Sequence, residues 1–345
     1  MTTCNLALLG FGNVGRAFAT LLLRKRDELS RDLDIEWRVV AIAARRAGAA
    51  IDPTGIDLEK ALHAVENGDS LAPLSARPAP TSMDEFTATC GGDVLFENTP
   101  VNYETGQPAI AHLRAGLEAG MHVITANKGP VVHAYRELRD LARRRSRHFY
   151  FESSVMDGAP IFSLWRTALP GARLHSFRGI LNSTTNLILT LMENGQTFDE
   201  AVAQAQAIGV AETDPSGDIL GWDAAVKVAA LVTVLMDSPL LPQQVERQGI
   251  EGITPSLLRE AREEGRRWKL ICEAEHVDGA VRARVAPERI GPDDPLYGVI
   301  GTSSSITFVS DVLGRLTVTE EDPGPETTAY GLLADFINAV RTPVG

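Results

Sequence analysis

The chain is 345 residues long, 44% apolar and 23% charged, with a formal net charge of -12. This length is too great for one ordinary small core and predicts two domains. The acidic balance excludes a typical nucleic-acid binder, which is basic overall or carries a basic stripe, and disfavours an anionic membrane surface as partner.

The stretch "NLALLGFGNVGRAFATLLLRKRDEL" has the parts of a phosphate-binding βα unit. Asn5 to Leu9 read as a buried strand, and a helix is expected to run to about Glu28. Between them Gly10, Gly12 and Gly15 form G-x-G-x-x-G, which permits a tight turn, close approach of a pyrophosphate and close helix–strand packing. The helix N-terminus offers free N–H groups to the phosphates. Gly10, Phe11, Gly12, Asn13, Val14 and Gly15 are therefore the candidate cofactor loop. The second strand, "WRVVAIAARR", ends without the acid that holds a ribose 2′-OH in NAD sites. It ends in Arg45 and Arg46, suited to a 2′-phosphate. NADP is favoured over NAD, against the plainer reading of two solvated arginines.

Residues 67–82 ("NGDSLAPLSARPAPTS") read as a surface loop. "DVLFENTP" and "HVITANKGP" read as two further strands with polar carboxyl ends, where the ligand of an open parallel sheet lies. Thr99, Asn127 and Lys128 fall at that rim, Lys128 on a loop. Tyr135 to Tyr150 form a basic helix, read as a solvated face.

The second half holds "HFYFESSVMDGAPIFSLWRTAL" and "FRGILNSTTNLILTLMENG", each passing from strand to helix. Asn182 to Thr185 either cap the helix or offer polar groups to a substrate carboxylate. Ile219 to Met236 form a nearly apolar helix with two charges, Asp223 and Lys227, one turn apart in the favourable order. Charges in lipid are costly, so a buried helix is expected, not a membrane span. Buried charges cost several kcal/mol unless paired, so the two are expected to pair. Glu212, Asp214 and Asp218 crowd the turn before it, where Asp214 would also serve as a cap. Acids for an ammonium and a lysine for an oxygen or carboxylate suit one ligand class.

Cys4, Cys90 and Cys272 are far apart, odd in number and form no CxxC, so neither a disulfide framework nor a zinc site is expected. "MTTCNLALLG" lacks a basic n-region, so no signal peptide is expected and the protein reads as cytoplasmic.

The string Ala205-x-x-x-Gly209-Val210-Ala211-x-x-Asp214-Pro215-x-x-Asp218-Ile219-x-Gly221-x-Asp223-x-x-x-Lys227 resembles the signature of homoserine dehydrogenases throughout. "GFGNVG", "ENTP", "TANKGP", "FESSVMDGAPI" and "GILNSTTNLIL" are similar to the family's other blocks, in its order. The resemblance spans essentially the whole chain and is that of short members without a C-terminal ACT domain. It implies NAD(P)-dependent interconversion of L-homoserine and L-aspartate 4-semialdehyde, in the biosynthesis of threonine, methionine and isoleucine.

By the same resemblance, Lys227 is the proton donor to the carbonyl oxygen and Lys128, which contacts that oxygen, is its rival. Glu212 and Asp223 hold the substrate and orient the lysines. Asp218, Asn182 and Thr184 belong to the same site. A sodium ion, structural in role, is implied at Glu152, Val155, Asp157 and Ala159. Gly324 remains from a glycine-rich block against the cofactor, but Asp322 and Pro323 stand where small residues are common, and Ser304 where Asn is common.

The expected architecture is α/β: a Rossmann domain over 1–148, a catalytic and dimerisation domain with its own sheet over 149–314, and a segment 315–345 returning to the first. A homodimer is expected, with no nucleic acid or membrane as partner. The alternatives are a related dehydrogenase of another short amino acid alcohol, or a non-catalytic nucleotide-binding regulator.

Overall fold

The structure is a computed structural model that describes residues 3–80 and 82–343. The chain forms two compact units, residues 1–160 with 324–345, and residues 161–323.

The first unit contains β1 (Thr3–Leu9), α1 (Asn13–Arg24), α2 (Arg26–Leu33), β2 (Glu36–Ala44), β3 (Gly48–Ile51), α3 (Leu58–Glu66), α4 (Met83–Thr89), β4 (Val94–Glu97), α5 (Ala109–Glu118), β5 (His122–Thr125), α6 (Lys128–Arg144) and β6 (Phe149–Tyr150). Its sheet runs β3-β2-β1-β4-β5-β6. All neighbours are parallel except β3, which turns back antiparallel on β2. Central parallel strands are buried on both faces, which is why Leu6, Ala7, Val94, Leu95, Val123 and Ile124 form apolar runs. The strand order reverses between β1 and β4, and their carboxyl ends make the crevice where such sheets bind ligands.

The helix expected to reach Glu28 ends at Arg24 and restarts as α2, because Lys25 leaves helical geometry (φ -95, ψ 5) where the apolar stripe gives way to charges. Over 67–80 the expected loop is largely irregular, with one 3-10 turn at Ala72–Leu74; residue 81 lies outside the described residues.

In the second unit lie β7 (Leu174–Ile180), α7 (Ser183–Glu193), α8 (Phe198–Ala207), α9 (Ser216–Ile219), α10 (Trp222–Leu235), β8 (Glu246–Arg247), α11 (Pro255–Glu263), β9 (Arg267–Val277), β10 (Ala280–Ile290), β11 (Ser304–Ser310) and β12 (Gly314–Glu320). The sheet order is β12-β11-β7-β9-β10-β8, antiparallel apart from the β8–β10 pair. α10 packs on β9 and β10. Its Ala, Val and Leu residues from Ala224 to Val232 are buried on every side, as expected of an apolar helix. Gly221 (φ 76) breaks the expected Ile219 to Met236 helix into α9 and α10.

The last helix, α12 (Pro325–Arg341), belongs to the first unit. There Phe336 stacks edge-on against Phe96, with ring centroids 6.1 Å apart. The boundaries expected at 148 and 314 differ from those of the compact units. The turn after β6 stays with the first unit because Glu152 N–H donates to Asp335 Oδ2 (2.7 Å) and Ser153 Oγ to Thr328 O (2.7 Å), both on α12. β12 pairs with β11 from Gly314 to Glu320, so the return to the first unit begins at 324. Among the described residues no helix is long and apolar enough to cross a membrane.

Lys269 on β9 is 0% exposed. Its Nζ donates to Asn186 Oδ1 (2.9 Å) and Val299 O (2.6 Å), tying α7 and the approach to β11 onto the sheet. Burial pushes its pKa down to about 8, and Glu193 offsets only part of that. The folded chain thus holds fewer protons than the unfolded chain between about pH 8 and the free-lysine value of about 10.4. Stability rises with pH across that window. Lys269→Met is expected to flatten the rise. Thermal melts of both proteins across the window check it; parallel curves would assign the rise to another group.

Candidate active site

The nucleotide loop follows from three glycines with three different duties. Gly10 has φ +92, and a Cβ there would collide with the backbone of Asn98 at the end of β4. A Cβ at Gly15 would strike the Gly10 carbonyl. Gly12 faces open space, with nothing within 4 Å. One glycine therefore makes the turn, one closes the packing and one leaves room for a ligand. Gly12 also sits at the N-cap of α1, where no side chain caps the helix and the first turn holds no acid. The N-terminal N–H groups are thus left for phosphate. Phe11 is buried beneath the loop, while Asn13 is exposed and accepts from Arg16 Nη2 (3.0 Å).

The rim of the crevice adds a residue that motif reading passed over. Both amide atoms of Asn98 are buried and lack a hydrogen-bond partner. Buried polar atoms are seldom left so, and this pair belongs to the residue whose backbone lies against Gly10. The signal was the polar tail of "ENTP", from which only Thr99 was singled out. Arg45 and Arg46 are exposed on the turn joining β2 to β3.

Lys128 is the first residue of α6 and not a loop residue. Asn127 caps this helix, its Oδ1 accepting from Gly129 N (3.0 Å), and so draws Lys128 into the first turn. The Lys128 ammonium lies 5.9 Å from the Tyr103 ring centroid. α6 departs from helical geometry at Ala134 (φ -141), and the basic helix expected over Tyr135–Tyr150 ends at Arg144, since Phe149–Tyr150 pairs into the sheet as β6.

In the second unit Asn182 is the hub. Its Oδ1 caps α7, accepting from Thr185 N and Thr185 Oγ1, both at 2.8 Å. Its Nδ2 donates to Asp218 Oδ1 (2.6 Å) and Asp223 Oδ2 (3.0 Å). Lys227 Nζ lies 3.2 Å from Asp223 Oδ2 and donates to Leu181 O at 2.6 Å. The two side chains are only 15% and 9% exposed, so this is a buried pair. Burial, then the Asp223 charge, pushes the Asp218 carboxyl above its usual range; Asn182, Lys227 and Thr184 pull the other way. Thr184 Oγ1 donates to Val210 O (3.3 Å). An ammonium uses at most three N–H bonds, so Lys227 keeps one donor beyond Leu181 and Asp223. Two carboxylates and one ammonium leave a buried cluster with an excess negative charge when all are ionised.

Residues 160–337 match the family profile described as "Homoserine dehydrogenase", and residues 10–152 match "Homoserine dehydrogenase, NAD binding domain". The chain belongs to the homoserine dehydrogenase family. It is an oxidoreductase of α/β fold with a NAD-binding domain. It is 36% identical to an "NAD(+)-dependent homoserine dehydrogenase" of Pseudomonas canavaninivorans, over 98% of this chain and 96% of that one. It is 37% identical to the homoserine dehydrogenase of Methanocaldococcus jannaschii, over 97% and 98%. Its structure is similar to that of a hyperthermophilic archaeal homoserine dehydrogenase in complex with NADPH, with a TM-score of 0.83 at 28% identity and full coverage of both chains.

Of the residues assigned to substrate by family resemblance, the structure gathers Asn182, Thr184, Asp218, Asp223 and Lys227. Glu212 is exposed and makes no side-chain contact with them; its carbonyl accepts from Gln206 Nε2 (3.2 Å). Asp214 is exposed too, and its Oδ1 accepts from Ser216 N (3.1 Å) in the turn before α9. Gly324 takes the N-cap position of α12 with open space about it.

Of the residues assigned to a cation, Glu152, Val155 and Ala159 are buried. Asp157 has φ +41 and accepts from Thr328 Oγ1 (2.6 Å). Cys272, buried below Leu181, has its thiol pushed up to about 12 by burial and is no nucleophile.

Proposed function

We propose that this protein interconverts L-homoserine and L-aspartate 4-semialdehyde with a nicotinamide cofactor, NADP ahead of NAD. The observation that carries this reading is the buried Lys227–Asp223 pair joined through Asn182 to Asp218. When bound, the nicotinamide gives or takes the hydride, chemistry that belongs to the cofactor. The chain's own residues hold the substrate and move the proton. The excess negative charge of Asp218 and Asp223 suits the substrate ammonium, with Thr184 beside Asp218; Glu212 is assigned to substrate on the family resemblance alone. Lys227 directs its third N–H to the carbonyl oxygen, donates the proton in reduction and recovers it in oxidation. By the family resemblance Lys128 is its rival for that role.

A dinucleotide fits the first unit because Gly12 faces open space and the N-terminus of α1 has no side-chain cap. Gly10 to Gly15 would hold the pyrophosphate, Thr99 and Lys128 the nicotinamide end, with Gly324 beside it. Arg45 and Arg46 would take an adenosine 2′-phosphate. Replacing both by Ala should raise KM for NADP at least about tenfold, the scale of one lost charge-assisted contact, and leave NAD nearly unchanged. Equal effects on both cofactors would remove the argument.

Among the described residues no three His, Cys, Asp or Glu side chains gather to hold a metal ion. A sodium ion would instead rest on hard oxygen donors, supplied by the irregular stretch of Glu152, Val155, Asp157 and Ala159, in a structural role. We also assign a cytoplasmic homodimer joined through the second sheet, on the family resemblance, with the catalytic and dimerisation roles in the second unit.

The test is one steady-state assay. L-homoserine is offered at alkaline pH with NAD and NADP in parallel. Reduction of either cofactor is expected; reduction of neither by folded protein would leave a non-catalytic nucleotide binder.

A further inference from the structure

Glu97, the last residue of β4, is a carboxylate with 0% exposure, and no part of the mechanism above uses it. Its Oε1 accepts from Thr99 N (3.1 Å) and from Thr99 Oγ1. His112 Nδ1, from α5, lies 3.5 Å from the same oxygen. Oε2 accepts from Thr125 Oγ1 (3.0 Å), at the end of β5. That hydroxyl also lies 2.7 Å from Glu97 O and accepts from Asn127 N (2.9 Å). Asn127 Nδ2 donates to Thr99 O (3.2 Å), and Asn127 Oδ1 accepts from Gly129 N at the start of α6. These bonds close a ring: Glu97, Thr99, Asn127, Thr125 and back to Glu97.

We propose that Glu97 is a positioning residue for the reaction, setting Thr99 and, through Thr125 and Asn127, the first turn of α6 that carries Lys128. The inference rests on the reading above for what Thr99 and Lys128 do. The physical reason is acceptor supply. Thr99 and Thr125 together turn three N–H or O–H groups toward one carboxylate. A carboxylate accepts on both oxygens; a Gln side chain replaces one of them by an NH2 that accepts nothing. In either orientation Glu97→Gln loses or reverses at least one of these bonds: with its oxygen toward Thr99 the NH2 faces Thr125, whose single O–H then rests on the residue-97 carbonyl, and with its NH2 toward Thr99 the Thr99 N–H has no acceptor. A buried network with one unsatisfied member shifts or opens, and displacements near 1 Å cost on the order of a hundredfold in rate.

The experiment compares wild type, Glu97→Gln, Thr125→Val and the double variant. Melting temperature, NADPH dissociation constant by cofactor fluorescence, and kcat and KM for L-homoserine are measured on each. The expected result is kcat lower by roughly tenfold to a hundredfold and NADPH binding weaker by about threefold or more in Glu97→Gln. Thr125→Val should act in the same direction, and the double variant should be no worse than the poorer single, since both open one ring. A merely structural role would lower the melting temperature but leave kcat per folded enzyme and NADPH affinity at wild-type values; that result overturns the proposal. If Glu97→Gln does not fold, Thr125→Val decides, and wild-type values there overturn it too. If the wild type fails to oxidise L-homoserine, the functional reading falls, while the NADPH arm still tests the ring.

Discussion

Lys227→Met is expected to lower kcat by about a hundredfold or more, the usual scale for a positioned acid, in a protein that still folds and binds cofactor. Lys227 sits inside α10 with two of its three donors engaged by Leu181 O and Asp223. Its direction is therefore held before substrate arrives, which is the condition for efficient proton transfer. Lys128→Met is expected mainly to raise KM. Both lysines stand on helices, since Lys128 opens α6. What separates them is the carboxylate: Lys227 lies 3.2 Å from Asp223, in a buried cluster that also holds Asp218. The pH limb of kcat for reduction should vanish in Lys227→Met and persist in Lys128→Met. The opposite pattern would exchange their roles.

Asp223→Ala is expected to destabilise the fold by about 3–5 kcal/mol, the cost of stranding one partner of a buried pair. An exposed pair would be worth less than about 1 kcal/mol, and the low exposure of both side chains chooses between these scales. The Asn182 amide would lose one of its two acceptors as well. Removing Lys227 in addition, as Asp223→Ala/Lys227→Met, should restore part of the loss because the stranded ammonium is gone, while Asp218 keeps its bond from Asn182. Urea unfolding of the three variants and wild type measures this. A loss under about 1 kcal/mol in the single variant would mean that water reaches the pair.

The dinucleotide loop was legible from the residues because its geometry is short-range. A positive φ at Gly10, a bare N-cap at Gly12 and a close approach at Gly15 are set within six residues. The apolar helix with one acid and one base was legible for a similar reason: spacing alone puts Asp223 and Lys227 one turn apart, and the apolarity around them already implied burial. β3 escaped notice because its four residues pair only with β2, back across a tight turn, and lack a long apolar run. Lys128 was misplaced by one feature, since a cap at Asn127 shows only once the helix is seen to start there.

The contacts that turn these residues into a site lie far apart along the chain. Asn182 meets Asp218 and Asp223 across 36 and 41 residues, and Lys227 finds the Leu181 carbonyl across 46. The Glu97 ring joins the ends of β4 and β5 across 28. Composition and periodicity report what each segment wants to bury and how it turns, because those depend on neighbours within a few residues. Which acid shares an amide with which, and which carbonyl a lysine reaches, depends on sheet order and strand register, and these arise only when distant strands pair.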